Sequence, residues 1–313
     1  MKLGLVTDCL GNLSFNEMVK TAAELGYQQL ELATGNWSQA PHVDLDNWLT
    51  SAATRQSVQE TLAEHHVEIC AFNCSGNPLA PNEEGRQHNI VTEKTFQLAE
   101  LMGVKEIVMM SGLPGAAPGE TVPNWITTCW PARNAEILEW QWNEIAIPYW
   151  KNLAKLAEQH GIERIAVENH PAQLVYNPET FLKLREHVGD RIGMNFDPSH
   201  HFWMGGDPIR TARALGKAIY HVHAKDTRIE RGVAEINGYY ETKFFDRTPE
   251  RSWNYVALGH GHDVSWWKEF FSVLKMSGFT GNVTLENEDL TMDSYTALVK
   301  ATNVLKEALP ARF

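Results

Sequence analysis

Cysteine is scarce: the 313 residues hold four, Cys9, Cys70, Cys74 and Cys129. Their spacing is too irregular for a disulfide framework, and Cys70 and Cys74 lack a second Cys/His pair at zinc-site spacing. Buried thiols in a reducing compartment are expected instead. Positive charge is also short, with 27 Lys+Arg against 39 Asp+Glu and a net charge of −12. An acidic surface repels phosphate backbones and anionic lipid, which argues against nucleic-acid or membrane partners. No apolar run reaches the roughly 18 residues of a membrane span. The start, Met1 to Asp8, reads as a strand rather than as a signal peptide, so a cytoplasmic location is expected. No glycine-rich phosphate turn follows that strand. Nor is there low complexity: hydrophobic residues make up 43% and charged residues 21%, the balance of a globular chain.

What is present is a repeat. An amphipathic helix, a Gly or polar break and a short apolar run recur along the chain. After the opening strand, the apolar runs are Gln28 to Leu32, Val67 to Asn73, Val104 to Met110, Ile162 to Glu168, Ile192 to Asp197, Ala218 to His223 and Asn282 to Glu286. The last helix spans about Ser294 to Ala308. Helices alternating with short apolar strands imply parallel pairing with both faces covered. Eight such units predict one (β/α)₈ TIM barrel domain over residues 1–313, with the Gly before each strand as a helix C-cap.

Two connections are long, about 111–143 after the fourth strand and about 227–262 after the seventh. Both run from strand to helix, the side of a TIM barrel that carries active sites. The first holds Trp125, Trp130, Trp140 and Trp142, and the second Tyr239, Tyr240, Phe244, Phe245, Trp253 and Tyr255. Aromatics this dense argue against disorder. They fit a pocket wall or lid, or a subunit interface.

The late strands end alike: Val167-Glu168-Asn169-His170, then Asn195-Phe196-Asp197-Pro198-Ser199-His200-His201, His221-Val222-His223-Ala224-Lys225-Asp226 and Leu285-Glu286-Asn287-Glu288-Asp289. Strand ends of a barrel point into one bowl, so Glu168, Asp197, His223 and Glu286 are expected to converge. Three carboxylates there repel unless a cation neutralises them. Carboxylate oxygens with one imidazole suit Mn²⁺ first, with Mg²⁺, Co²⁺ or Zn²⁺ as alternatives. Lone histidines such as His65 and His88 read as solvated.

These four strand-end motifs resemble the xylose-isomerase-like barrel superfamily of sugar isomerases and epimerases. Asn73-Cys74-Ser75-Gly76-Asn77-Pro78-Leu79 and Leu258-Gly259-His260-Gly261-His262-Asp263 resemble its sugar phosphate isomerase/epimerase branch. The resemblance covers nearly the whole chain. It implies that Glu168, Asp197, His223 and Glu286 bind one divalent ion, that Glu168 and Glu286 exchange protons with substrate, and that His200 holds a substrate oxygen. Two carboxylates on opposite faces of a carbon permit epimerisation through a metal-stabilised enediolate. Lys225 joins His200 against the oxyanion, and Asp226 orients Lys225 or a ligand. His170 and His260 belong where the bowl should be. Asn73 and Asn77 read either as partners of sugar hydroxyls or as loop caps. Compact sugar epimerases carry an Arg soon after the seventh-strand His. Here Arg228 is the nearest candidate, and it opens the long insertion, which allows a larger substrate.

The expected activity is therefore a metal-dependent sugar isomerase or epimerase acting on a small carbohydrate, without nucleic acid or membrane. The alternative is a lyase or dehydratase on a keto-sugar, keto-inositol or 3-keto-glycoside with the same metal and bases. A non-catalytic sugar-binding subunit is a third reading. Phosphate in the substrate has little support, since no glycine-rich anion nest is apparent. A homo-oligomer is expected, with an unlike partner subunit left open.

Overall fold

A computed structural model of the chain describes residues 1–310. Eight strands close a parallel barrel. They are β1 (Lys2–Val6), β2 (Gln29–Ala33), β3 (Glu68–Asn73), β4 (Glu106–Met110), β5 (Arg164–Glu168), β6 (Ile192–Phe196), β7 (Ile219–Ala224) and, after a two-stranded ladder of β8 (Asp226–Ile229) and β9 (Trp253–Val256), β10 (Asn282–Leu285). Their order around the barrel is β1–β10–β7–β6–β5–β4–β3–β2. The helices between them are α1 (Phe15–Glu24), α2 (Leu45–Thr50), α3 (Ala52–Glu64), α4 (Glu83–Met102), α5 (Arg133–Trp140), α6 (Ile147–Gln159), α7 (Pro178–Val188), α8 (Pro198–Met204), α9 (Pro208–Leu215), α10 (Arg231–Asn237), α11 (Val264–Met276) and α12 (Ser294–Ala308). No helix among the described residues is long and apolar enough to cross a membrane.

Local chemistry sets the element ends. Ser14 starts α1 with a capping box, its hydroxyl taking the Glu17 N–H while the Glu17 carboxylate takes the Ser14 N–H at 2.9 Å. Asn82 caps α4, and Gly103 ends it at φ 71°, a left-handed turn that only glycine adopts without strain. All residues of β4 and β6 are buried, as parallel strands covered on both faces require.

The chain packs as two compact units. One holds Met1–Glu31, Thr61–Glu68 and the chain from Phe196 onward; the other holds Leu32–Glu60 and Ile69–Asn195. In the first, β10 lies between β1 and β7, and buried Trp267, Phe270 and Phe271 line α11. In the second, buried Trp150 of α6 donates its indole N–H to Ser111 O at 2.9 Å. The four cysteines form no disulfide among the described residues; Cys74 is buried and Cys129 exposed.

Neither long connection is a plain loop. In 111–143, buried Gln141 donates its amide to the carbonyls of Pro114, Gly115 and Asn124 at 2.7–3.2 Å, which folds the segment back on itself. The 227–262 segment contains the β8–β9 antiparallel ladder and α10. Trp253 is buried there, stacked on Trp203 of α8 at 4.8 Å and 7°. Arg251 lies against Phe245 and Trp253 at 4.7 and 4.8 Å. Trp253 thus fastens the insertion to α8 and has no face left for a ligand. Tyr240, Phe244 and Trp130 are exposed.

Close packing inside the barrel is sharpest at Gly4. A Cβ there would lie 2.7 Å from Thr284 Cγ2 and 3.3 Å from the Gln29 backbone oxygen. Gly4→Ala should therefore cost about 1–3 kcal/mol of stability by overpacking, read as a lower urea midpoint at unchanged m-value.

Candidate metal and carboxylate site

In the first unit, three strand ends deliver one buried cluster. Asp197 directly follows β6 and caps α8, its Oδ1 accepting the Ser199 N–H at 2.7 Å. Its other oxygen stands 3.1 Å from His200 Nε2. His223 comes from β7 and Glu286 from the residue after β10; His223 Nδ1 and Glu286 Oε2 are 3.0 Å apart. The ligand atoms that Asp197, His223 and Glu286 offer all lie within 4.8 Å of one another. Lys225 reaches Glu286 at 3.3 Å and also pairs with Glu288.

Electrostatics hold this group in its charged form. Burial works against the Glu286 carboxylate, but Lys225 and then His223 outweigh it and pull its pKa down to about 2. Burial likewise opposes the Lys225 ammonium, and Glu286 and Glu288 raise its pKa well above the usual value all the same. Asp197 is buried yet stays ionised because the His200 imidazole faces it. Two carboxylates and an imidazole, convergent and largely shielded from solvent, are a donor set that suits a divalent cation of the Mn²⁺, Mg²⁺, Co²⁺ or Zn²⁺ class. The residues present fit such an ion.

Glu31 was not singled out from the sequence, and Tyr255 was read only among the aromatics of the second long connection. Glu31 of β2 has no solvent exposure. It accepts from Thr284 Oγ1 at 2.9 Å and faces His221 Nε2 at 3.0 Å and His223 Nε2 at 3.1 Å. In the sequence, Glu31 lies within the apolar run Gln28 to Leu32, away from the strand-end motifs. Tyr255 of β9 places its hydroxyl 3.0 Å from His200 Nδ1 and its ring 4.4 Å from Lys225 Nζ. Only the antiparallel return of β9 brings it there.

The other expected site residues have the following surroundings. Glu168 ends β5, is buried, and takes a long contact of 3.5 Å from the Asn195 amide. His170 has Nδ1 2.6 Å from Pro171 O and its ring 6.3 Å from Trp37. Asn73 caps its own loop, its Oδ1 taking the Ser75 N–H at 2.8 Å. Asn77 is committed to structure: its Oδ1 accepts the N–H groups of Leu79 and Leu113, and its amide donates to Leu113 O at 3.0 Å. Arg228 is taken by Glu230 through two hydrogen bonds, at 2.7 and 2.9 Å. The His260 side chain is exposed. Asp226 does not orient Lys225. Its Oδ2 gathers the N–H groups of Gly259, Gly261 and His262 at 2.9–3.0 Å, and its Oδ1 faces His262 Nδ1 at 2.8 Å. His88 is buried rather than solvated, and its Nδ1 accepts the Asn77 N–H at 2.9 Å.

Next to the cluster, His201 is 3% exposed and packs edge-on against Phe196. Burial, and then the His200 imidazole, push its pKa from 6.5 down to about 4. A depressed histidine pKa means that the unfolded chain binds the proton first. Its contribution is intact above pH 6.5 and lost as the pH falls toward about 4. Over that window the wild type should lose about 3 kcal/mol more than His201→Gln, measured by urea unfolding at each pH.

The comparisons with known proteins agree with this architecture. The uncharacterized protein YfiH of Bacillus subtilis (strain 168) is 52% identical over 311 residues, 99% of each chain. Among solved structures, the probable 3-DHS dehydratase AsbF from Bacillus anthracis superposes with a TM-score of 0.68 at 18% identity, covering 98% of this chain and 99% of its own. IolI protein with a bound zinc atom gives 0.66 at 21% identity, covering 98% and 96%. A D-tagatose 3-epimerase-like protein gives 0.64 at 20%, covering 98% of both chains. Residues 19–308 match the family described as xylose isomerase-like TIM barrel, and the chain belongs to that family.

Proposed function

We propose that the protein is a divalent-metal-dependent isomerase or epimerase of a polyhydroxylated carbonyl compound, working by proton transfer at the carbon beside the carbonyl. The observation that carries this reading is the buried convergence of Asp197, His223 and Glu286 with the Lys225 ammonium among them. The fourth ligand is Glu168. Strand β5 pairs with β6 in a register that sets Glu168 opposite Asn195, two residues before Asp197. Mn²⁺ is the ion favoured by this oxygen-rich set. Superfamily neighbours that include a dehydratase, an epimerase-like protein and a zinc-bound protein support the class of chemistry.

The ion, when bound, supplies Lewis acidity toward the oxygens of a hydroxy-carbonyl substrate. Glu286 is held ionised by Lys225 and His223, so it is present as a base at neutral pH. Glu168 is the second carboxylate, and with Glu286 it allows removal of the proton on one side of the carbon and return on the other. Lys225 stabilises the negative charge that develops on the substrate oxygen. His200, held between Asp197 and the Tyr255 hydroxyl, orients a substrate hydroxyl. The same Lys225 ammonium supports a second reading, since it can protonate a departing hydroxyl in a dehydratase or lyase.

A panel of ketohexoses and keto-inositols, incubated in D₂O with the Mn²⁺-loaded protein, tests the reaction. Deuterium should enter one substrate carbon, and Glu168→Gln and Glu286→Gln should each slow that exchange by about 10² or more. A dehydrated product carrying the label selects the lyase reading. Turnover of deuterated substrate with the label retained on the neighbouring carbon means a hydride shift, and removes both glutamates as bases.

A further inference from the structure

One fully buried carboxylate against His223, that of Glu31, lies outside the proposed ligand set of Glu168, Asp197, His223 and Glu286. We propose that Glu31 is a positioning residue for the metal site: it takes the Nε2–H of His223 and so presents Nδ1 to the ion. This rests on the metal-dependent reading above.

The geometry makes the case. His223 stands between two carboxylates, with Nε2 at 3.1 Å from both Glu31 oxygens and Nδ1 at 3.0 Å from Glu286 Oε2. An ionised carboxylate only accepts hydrogen bonds, so the ring nitrogen facing Glu31 must carry the hydrogen. Nδ1 faces the ionised Glu286 carboxylate in the same way and so holds a proton too when no ion is bound; on ion binding Nδ1 is the nitrogen that gives up its proton and supplies the lone pair, because Nε2–H stays with Glu31. A carboxylate behind a metal-binding imidazole also raises the basicity of the ligand.

Glu31 is itself held in place. Thr284 Oγ1 donates to its Oε2 at 2.9 Å, and His221 Nε2 lies 3.0 Å from the same oxygen. Thr284 pairs across the sheet with His223 on one side and Gly4 on the other. The missing Cβ of Gly4 leaves room for the threonine side chain. Leaving a buried carboxylate without such partners would cost several kcal/mol. The set Glu31, His221 and His223 also has the composition of a second cation site. There the Thr284 hydroxyl donates to the same Glu31 oxygen that faces His221, which gives this carboxylate a hydrogen-bonding role, and the ion stoichiometry below separates the two readings.

Ion titration by calorimetry on the full chain, with Mn²⁺ and with Co²⁺, tests this beside the Co²⁺ absorption spectrum and the ¹⁵N NMR tautomer of His223 in zinc-loaded protein. Wild type should bind one equivalent with His223 as the Nε2–H tautomer. Glu31→Leu should weaken binding about 10- to 100-fold and alter the Co²⁺ spectrum. Glu31→Gln, which is isosteric and keeps an acceptor oxygen, should fold and fall between the two; it carries the test if Glu31→Leu does not fold. Affinity, spectrum and tautomer unchanged in Glu31→Gln and in any folded Glu31→Leu overturn the positioning role while leaving the metal reading intact. Two equivalents bound by wild type overturn it in favour of a second cation site. A wild type that binds no ion sinks the metal reading, and this inference with it.

Discussion

Negative charge packed out of water is the constraint around which this end of the barrel is organised. Two unit charges 4 Å apart repel by about 4 kcal/mol at an effective dielectric of 20. Asp197 and Glu31 are buried and Glu286 is partly buried, all within reach of His223 or its neighbours. The imidazole of His223 and the ammonium of Lys225 balance them, and burial strengthens each attraction by removing solvent screening. A divalent ion in the same place would supply the charge that a proton on His223 supplies without it. The cluster therefore suits a divalent ion without any unusual ligand.

The surrounding elements each serve this group in a second way. Asp197 is both a ligand candidate and the N-cap of α8, so the helix start fixes one of its oxygens and leaves the other pointing at His200. The β8–β9 insertion is fastened to α8 through Trp253 and Trp203, and the same ribbon carries Tyr255 to His200. Asp226 gathers the turn at 259–262 with three backbone hydrogen bonds. The aromatics of the insertion divide into buried anchors such as Trp253 and exposed side chains such as Tyr240 and Phe244.

Much of this was legible along the chain because a barrel strand announces itself locally. Apolar runs such as Ile165-Ala166-Val167 and Val222 end in a charged residue that no helix face or solvent face explains, and that pattern singles out Glu168, His223 and Glu286. Asp197 adds the signature of a cap followed by proline. Other candidate side chains are engaged by neighbours, backbone or side chain, that the motifs do not reveal. Asn77 clamps the loop that follows β4, Arg228 folds onto Glu230 two residues on, and Asp226 holds its turn. None of these competing partners is visible as a motif.

The sequence by itself determined the barrel and the strand-end residues that crowd its carboxyl face. Hydrophobic periodicity and chain order are local properties, and eight repeats of one unit leave few ways to close. The tertiary structure decided which polar groups share space. Glu31 and His223 are 192 residues apart, and Tyr255 and His200 are 55 apart. Their pairing depends on how β2 meets β7 through the barrel interior and how β9 folds back over α8. A side chain's partner is set by distance in space, and in a closed barrel the residues that meet across the centre are those that the chain order separates.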